Sequence, residues 1–197
     1  MNERKPEIIV FAGPNGSGKS TFTALLKPSY DYINADEIKA IIKCSDIEAA
    51  ETAEKLRLGH LAQRTDFSFE TVLSTPRNLD LLKKAKEAGY FIKCFYVLTA
   101  DSQINLARVK FRVLSGGHDV PEDKILTRYN RALDLLPEVL EVCDIFHLYD
   151  NSKTPYRIFK KRKNEFYYDP CPELWSSEEI KNLTKKFEAV YKNLNEK

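Results

Sequence analysis

Near the start of the chain, Gly13-Pro14-Asn15-Gly16-Ser17-Gly18-Lys19-Ser20 fits G-x-x-x-x-G-K-[ST], a spacing whose chemistry is phosphate binding. The glycines let successive backbone N–H groups turn inward around an anion, and a helix opening at the end of the loop aims its positive dipole end at the same point. Lys19 can then reach the β- and γ-phosphates, and the Ser20 hydroxyl can ligate Mg²⁺, so ATP with Mg²⁺ is the expected cofactor pair. The chain has no D-x-x-G element, no N-K-x-D guanine reader and no apolar run ending in an acidic pair. Those gaps point away from switch GTPases and ATP motors and toward a kinase of a small or medium-sized acceptor.

A kinase needs a carboxylate at the acceptor hydroxyl, to take its proton and aim its oxygen at the γ-phosphorus. Asp36 is the first candidate. It follows a predicted strand, and ligands in open α/β sheets lie beyond the strands' carboxyl ends; it could also serve as the N-cap of the next helix. Glu70 is the second, a lone charge in Phe67-Ser68-Phe69-Glu70-Thr71-Val72, where burial without a partner is costly; it faces a polar site or else solvent. Charge on a transferring phosphoryl group calls for arginine, and Arg108 and Arg112 lie one helical turn apart with Asn105 on the same face. They form either a phosphate clamp or a solvated basic face. Arg128 and Arg131, on the next predicted helix, could reach the same cleft. Gly116-Gly117-His118-Asp119-Val120-Pro121 reads as a loop able to close as a lid. In it His118 is a candidate substrate contact or a plain loop residue. Asn151, after the last core strand, is a candidate adenine contact.

The elements that must position these residues alternate along the chain. Strands are predicted at Glu7–Ala12, Tyr32–Asn34, Phe67–Leu73, Tyr90–Leu98 and Val142–Tyr149, from short runs of β-branched and aromatic residues. Helices are predicted from Gly18 to about Lys27, from Asp36 through Ile42, and from Asp46 to about Arg64 behind a capping box at Ser45 and Glu48. Further helices run from Pro76 to near Gly89, from Asp101 or Ser102 to about Leu114, and from Pro121 to Pro137, where the helix must end or bend. This is an α/β, P-loop kinase-like pattern with a largely parallel sheet flanked by helices. Residues 1–197 read as a single domain of this kind. Within it, 151–197 is a C-terminal appendage, made of the basic and aromatic segment Tyr156–Tyr168 and a terminal helix from Ser176 to near Asn193.

The 197 residues are 43% hydrophobic and 30% charged, a globular composition. No apolar run approaches the ~18 residues of a bilayer span, and no secretory leader is visible, so the cytoplasm is the expected location. Four cysteines without a C-x-x-C pair suit reduced thiols rather than zinc. A net charge of +2 is too balanced for a general polyanion binder, so neither nucleic acid nor a membrane is an expected partner. The run Lys160-Lys161-Arg162-Lys163 reads as a solvated edge, or else as a local nucleic-acid patch.

Together these residues resemble the zeta-toxin-like family of P-loop kinases. The matching pieces are Gly13 to Thr21, Asn34-Ala35-Asp36-Glu37, Phe69-Glu70-Thr71, the stretch from Asn105 to Arg112, Gly116 to Pro121, and Arg128-Tyr129. The resemblance implies that Gly13 to Thr21 bind the nucleotide, that Lys19, Asp36, Arg108 and Arg112 carry the reaction, and that Glu70, with Thr71 beside it, binds substrate. Characterised toxins of the family phosphorylate UDP-N-acetylglucosamine at the sugar's 3′-hydroxyl. The implied acceptor is therefore a small hydroxyl compound such as a UDP-sugar, and the implied protein partner is an antitoxin. A nucleotide or polynucleotide kinase, and a non-catalytic ATP-binding module of a toxin–antitoxin pair, are the alternatives.

Overall fold

The computed structural model describes residues 4–26, 29–117, 119–171, 173–184 and 191–193. At its centre is β1 (Glu7–Ala12), whose Ile8, Val10, Phe11 and Ala12 are all buried. A strand covered on both faces belongs inside a parallel sheet with helices on either side. The chain alternates accordingly through α1 (Lys19–Leu26), β2 (Asp31–Ile33), α2 (Ala35–Ile42), α3 (Asp46–Gln63), β3 (Phe67–Thr71), α4 (Pro76–Glu87), β4 (Phe91–Leu98), α5 (Ser102–Leu114), α6 (Glu122–Val142) and β5 (Ile145–Asp150). It ends in β6 (Tyr156–Arg162), β7 (Glu165–Tyr168), α7 (Ser177–Leu183) and β8 (Tyr191–Asn193).

The described strands form a sheet in the order β2-β3-β1-β4-β5-β6-β7-β8. From β2 to β5 every pairing is parallel, whereas β6 is antiparallel to β5 and β7 to β6. With β3 on one flank of β1 and β4 on the other, β1 stands at the topological switch point where open α/β sheets hold ligands. Register sharpens this, because Ala12 aligns with Thr71 on one side and Tyr96 on the other. The loops after β1, β3 and β4 therefore open along one edge. Phe67, Phe69, Leu79, Leu82, Tyr90, Ile92, Tyr96, Leu136, Leu140 and Phe146 anchor the main core behind that edge. A smaller cluster of Leu106, Val109, Val120 and Ile125 seats α5 on α6.

Four local features depart from, or refine, the sequence expectations. Asn34 caps α2, its Oδ1 accepting from the Asp36 N–H at 2.9 Å; asparagine does this as well as aspartate, and the Asp36 carboxylate is left uncommitted. Helix α6 continues through Pro137 to Val142. The lost N–H costs about 3 kcal/mol, but Leu136, Val139 and Leu140 are fully buried around it, each contributing roughly 1.5–3 kcal/mol. The terminal helix stops at Leu183 rather than near Asn193, and residues 191–193 pair with β7 as β8. Just past its end, the Thr184 hydroxyl donates to the Ile180 carbonyl at 2.9 Å, a local competitor for the helix's own bonds. Finally, the basic run lies on the β6–β7 hairpin. Lys160 sits 5.7 Å over the Tyr167 ring, and Lys161 donates to the Leu140 and Glu141 carbonyls at 2.8 and 3.0 Å, capping the negative end of α6.

All four cysteines are free; Cys94 and Cys143 are buried together, and burial first, then the Cys143 contact, push the Cys94 thiol well up. No helix among the described residues is long and apolar enough to cross a membrane.

Candidate active site

The backbone leaves β1 as a loop over Gly13–Gly18 and enters α1 at Lys19. Gly13, Pro14 and Ser17 make the buried underside of that loop, while Asn15, Gly16, Gly18, Lys19, Ser20 and Thr21 line a cavity of ≈ 610 Å³. Gly18 has φ +96°, and a Cβ there would lie 2.3 Å from Asn151 Nδ2. That amide donates to the Ser17 carbonyl at 2.8 Å. Asn151, the candidate adenine contact, braces the loop through this bond and is not among the residues lining this cavity.

Lys19 is only 7% exposed, and its Nζ donates to the Pro14 carbonyl at 2.9 Å. Burial lowers its pKa; Glu70 and then Asp36 push the other way, and Arg112 adds to the lowering. One ammonium group therefore feels three of the residues singled out from sequence, all of which line the same cavity. Glu70 leaves β3 toward the loop, accepting from Ser20 Oγ at 3.1 Å, Tyr32 OH at 3.0 Å and Thr23 Oγ1 at 3.4 Å. Burial and the Glu70 charge raise the Tyr32 pKa, so this phenol stays a donor. The lone charge in β3 is therefore neither misplaced nor unpartnered. It has a second capability that the sequence did not disclose: the Ser20 hydroxyl and Glu70 carboxylate are adjacent hard oxygen donors, the set Mg²⁺ takes alongside phosphate oxygens and water. Asp36, on the first turn of α2, faces the cavity with no hydrogen bond to its carboxylate among the described residues.

The arginines approach from the opposite wall. Arg108, Arg112 and Arg128 line the cavity, and Arg131 does not. Arg108 Nη2 donates to the Ser152 carbonyl at 3.2 Å, and Arg128 Nη1 to Asn15 Oδ1 at 3.5 Å. Ser152 is itself fixed: its N–H and hydroxyl donate to Asp150 at 3.0 and 2.7 Å, and the Trp175 indole donates to that carboxylate at 3.0 Å. The paired glycines after α5 serve that helix's end. Gly116 has φ +84°, and a Cβ on Gly117 would lie 2.6 Å from Arg112 Cγ. His118, the candidate substrate contact, lies outside the described residues.

Sequence reasoning undervalued two side chains. Asn105 is fully buried; it donates to the Asn15 carbonyl at 2.6 Å and accepts from the Thr99 hydroxyl, tying α5 to the phosphate loop. Arg57 continues the buried stripe Ala49–Ala53–Arg57 of α3 to the cavity wall. A cation at four-residue spacing behind two buried alanines was the available signal. Thr71 lines the same cavity, its hydroxyl accepting from Asn78 Nδ2 at 2.8 Å and from the Leu73 N–H at 3.1 Å.

Comparison with known proteins agrees with this geometry. An uncharacterized protein of Haemophilus influenzae is 35% identical over 129 residues, 62% of this chain and 92% of its own length. Among solved structures, the AvrRxo1-ORF1:-ORF2 complex with ATP superposes with a TM-score of 0.71 at 15% identity. The match covers 91% of this chain, which spans 64% of the length of that one. A structure from the PezAT chromosomal toxin–antitoxin system of Streptococcus pneumoniae gives 0.57 at 14% identity, covering 80% of this chain and 73% of that one. At such identities the likeness is one of fold. Membership is carried by sequence: the zeta toxin family model matches residues 1–164, so the chain belongs to the zeta toxin family.

Proposed function

We propose that the protein is an ATP- and Mg²⁺-dependent phosphotransferase that moves the γ-phosphoryl group to a hydroxyl of a small acceptor, a UDP-sugar such as UDP-N-acetylglucosamine. The observation that carries this reading is the Lys19 ammonium and the free Asp36 carboxylate on one cavity, with Arg108 and Arg112 on its far wall. The loop amides and Lys19 hold the β- and γ-phosphates, Lys19 exchanging the Pro14 carbonyl for phosphate oxygens. Bound Mg²⁺ would supply neutralisation of the β- and γ-oxygens, with Ser20 and Glu70 as its protein partners. Asp36 accepts the proton of the acceptor hydroxyl as that oxygen attacks phosphorus and the bond to ADP breaks. Arg108 and Arg112 balance the charge on the transferring group. An antitoxin partner belongs to the same reading.

The decisive assay supplies γ-labelled ATP with UDP-sugars, nucleosides and RNA ends in parallel. A labelled UDP-sugar is the expected product; label on nucleosides or RNA ends would reassign the acceptor, and no labelled product with tight ATP binding would leave a binding module. Asp36→Asn should lower turnover by roughly 10²–10⁴-fold while nucleotide affinity, read by calorimetry, stays within about twofold of the unaltered chain. Turnover preserved in that variant would remove Asp36 from the mechanism.

A further inference from the structure

Building on the phosphotransferase reading, we propose that Arg57 and the N-terminus of α4 form a second phosphate subsite, separate from the nucleotide loop, which seats a phosphate group carried by the acceptor. Arg57 is 6% exposed, and its Nε has no hydrogen-bond partner. Its guanidinium lies 5.2 Å over the Phe69 ring, a contact that covers one face and satisfies no N–H. The acid along the same helix is already engaged, since Glu54 accepts from Arg77 Nε at 2.8 Å and also pairs with the Arg77 Nη2. Burial lowers the Arg57 pKa to about 10, which still leaves it a cation at neutral pH. Glu54 offsets part of the burial cost on Arg57 and Arg77 adds to it; a buried cation so incompletely balanced is costly, and here it lines the cavity from which a ligand can supply the remaining charge.

The second observation comes from α4. Its N-cap, Thr75, makes no side-chain cap, Pro76 follows it, and no acidic residue occupies the first turn. Ser74, Thr75 and Asn78 line the same cavity as Arg57. An uncapped helix N-terminus and a buried guanidinium lining one cavity are the donor set that recognises phosphate, with the dipole and the fork of N–H groups favouring the same charge. Thr71, holding Asn78 through its hydroxyl oxygen, retains its own proton to donate. The acceptor class that fits is a phosphorylated or nucleotide-linked compound, with its reacting hydroxyl toward Asp36.

Calorimetric titration of inorganic phosphate into the full chain, presaturated with Mg²⁺ and a non-hydrolysable ATP analogue at constant ionic strength, reads this subsite with the nucleotide loop filled. Saturable phosphate binding is expected, weakened at least about tenfold in Arg57→Gln and to an intermediate degree in Arg57→Lys, with analogue affinity equal throughout. Melting curves separate binding from packing: phosphate should raise the Tm of the loaded unaltered chain and leave that of loaded Arg57→Gln unmoved. Equal phosphate affinity in Arg57→Gln, or no saturable phosphate binding by the loaded unaltered chain, overturns the proposal. Failure of the analogue itself to bind would instead overturn the kinase reading. The phosphate series would then be read on a Lys19→Ala background, where dependence on Arg57 decides the subsite on its own.

Discussion

Asn105 illustrates how a single buried amide can matter as much as a charged residue. It joins the Asn15 carbonyl to the Thr99 hydroxyl with no exposure to water. Asn105→Ala leaves the Thr99 hydroxyl and the Asn15 carbonyl with one partner fewer, a loss of about 1–3 kcal/mol. The expected outcome is a weaker nucleotide complex, by roughly tenfold in calorimetry, together with a lower Tm; unchanged ATP affinity would show that the loop keeps its shape without the brace. From sequence, Lys19, Ser20 and the loop glycines were legible because their chemistry lies within a single short stretch. Asn105 and Arg57 were not, because each takes its meaning from residues far along the chain: Asn15 for one, and Arg77, which engages Glu54, for the other. Asp36 was legible as a carboxylate at the right strand end. That it is free of capping duty depended on whether Asn34 or Asp36 took the cap, a choice between chemically equivalent caps.

Among the elements, α5 and its terminal glycines couple helix geometry to the position of Arg112, one of the two arginines proposed to clamp the phosphates. Gly117→Ala would drive a methyl group to 2.6 Å from Arg112 Cγ and 3.0 Å from the Arg112 carbonyl, so the arginine stem must move. We expect turnover to fall by about tenfold with little change in ATP affinity or Tm, because the side chain shifts while the helix stays capped. An equal fall in Tm would mean the glycine serves the cap alone. The strands up to β5 were readable from short β-branched and aromatic runs, and the helices from their caps and prolines, even α2, which buries none of its residues. Of the two outcomes open at Pro137, ending the helix is excluded by burial around α6, and the far end of the terminal helix was misread because pairing along the edge of β7 outweighed local propensity.

For the molecule as a whole, the acid limit of stability has an identifiable contributor. His147 on β5 stacks on Phe95 at 5.1 Å, and its Nδ1 is buried without a partner. Burial first, then Arg157, Lys160 and Lys93, lower its pKa to about 4 from 6.5. Between those two values the unfolded chain binds a proton that the folded one refuses. The contribution is therefore fully present above pH 6.5 and is lost as pH falls through 4, amounting to on the order of 2 kcal/mol once partial solvent screening is allowed for. Across that range the unaltered chain should lose melting temperature toward acid that His147→Phe keeps, so the difference between the two moves in the variant's favour as pH falls; parallel curves would rule this source out.

The Trp175–Asp150–Ser152–Arg108 relay reaches further than its few bonds suggest. The family match stops at residue 164, yet the indole that steadies the Asp150 carboxylate comes from residue 175. A version trimmed to the shared portion would retain each residue proposed for the chemistry and still hold Arg108 less firmly. Selection on phosphoryl transfer would thus extend to a stretch of polypeptide that does not line the cavity.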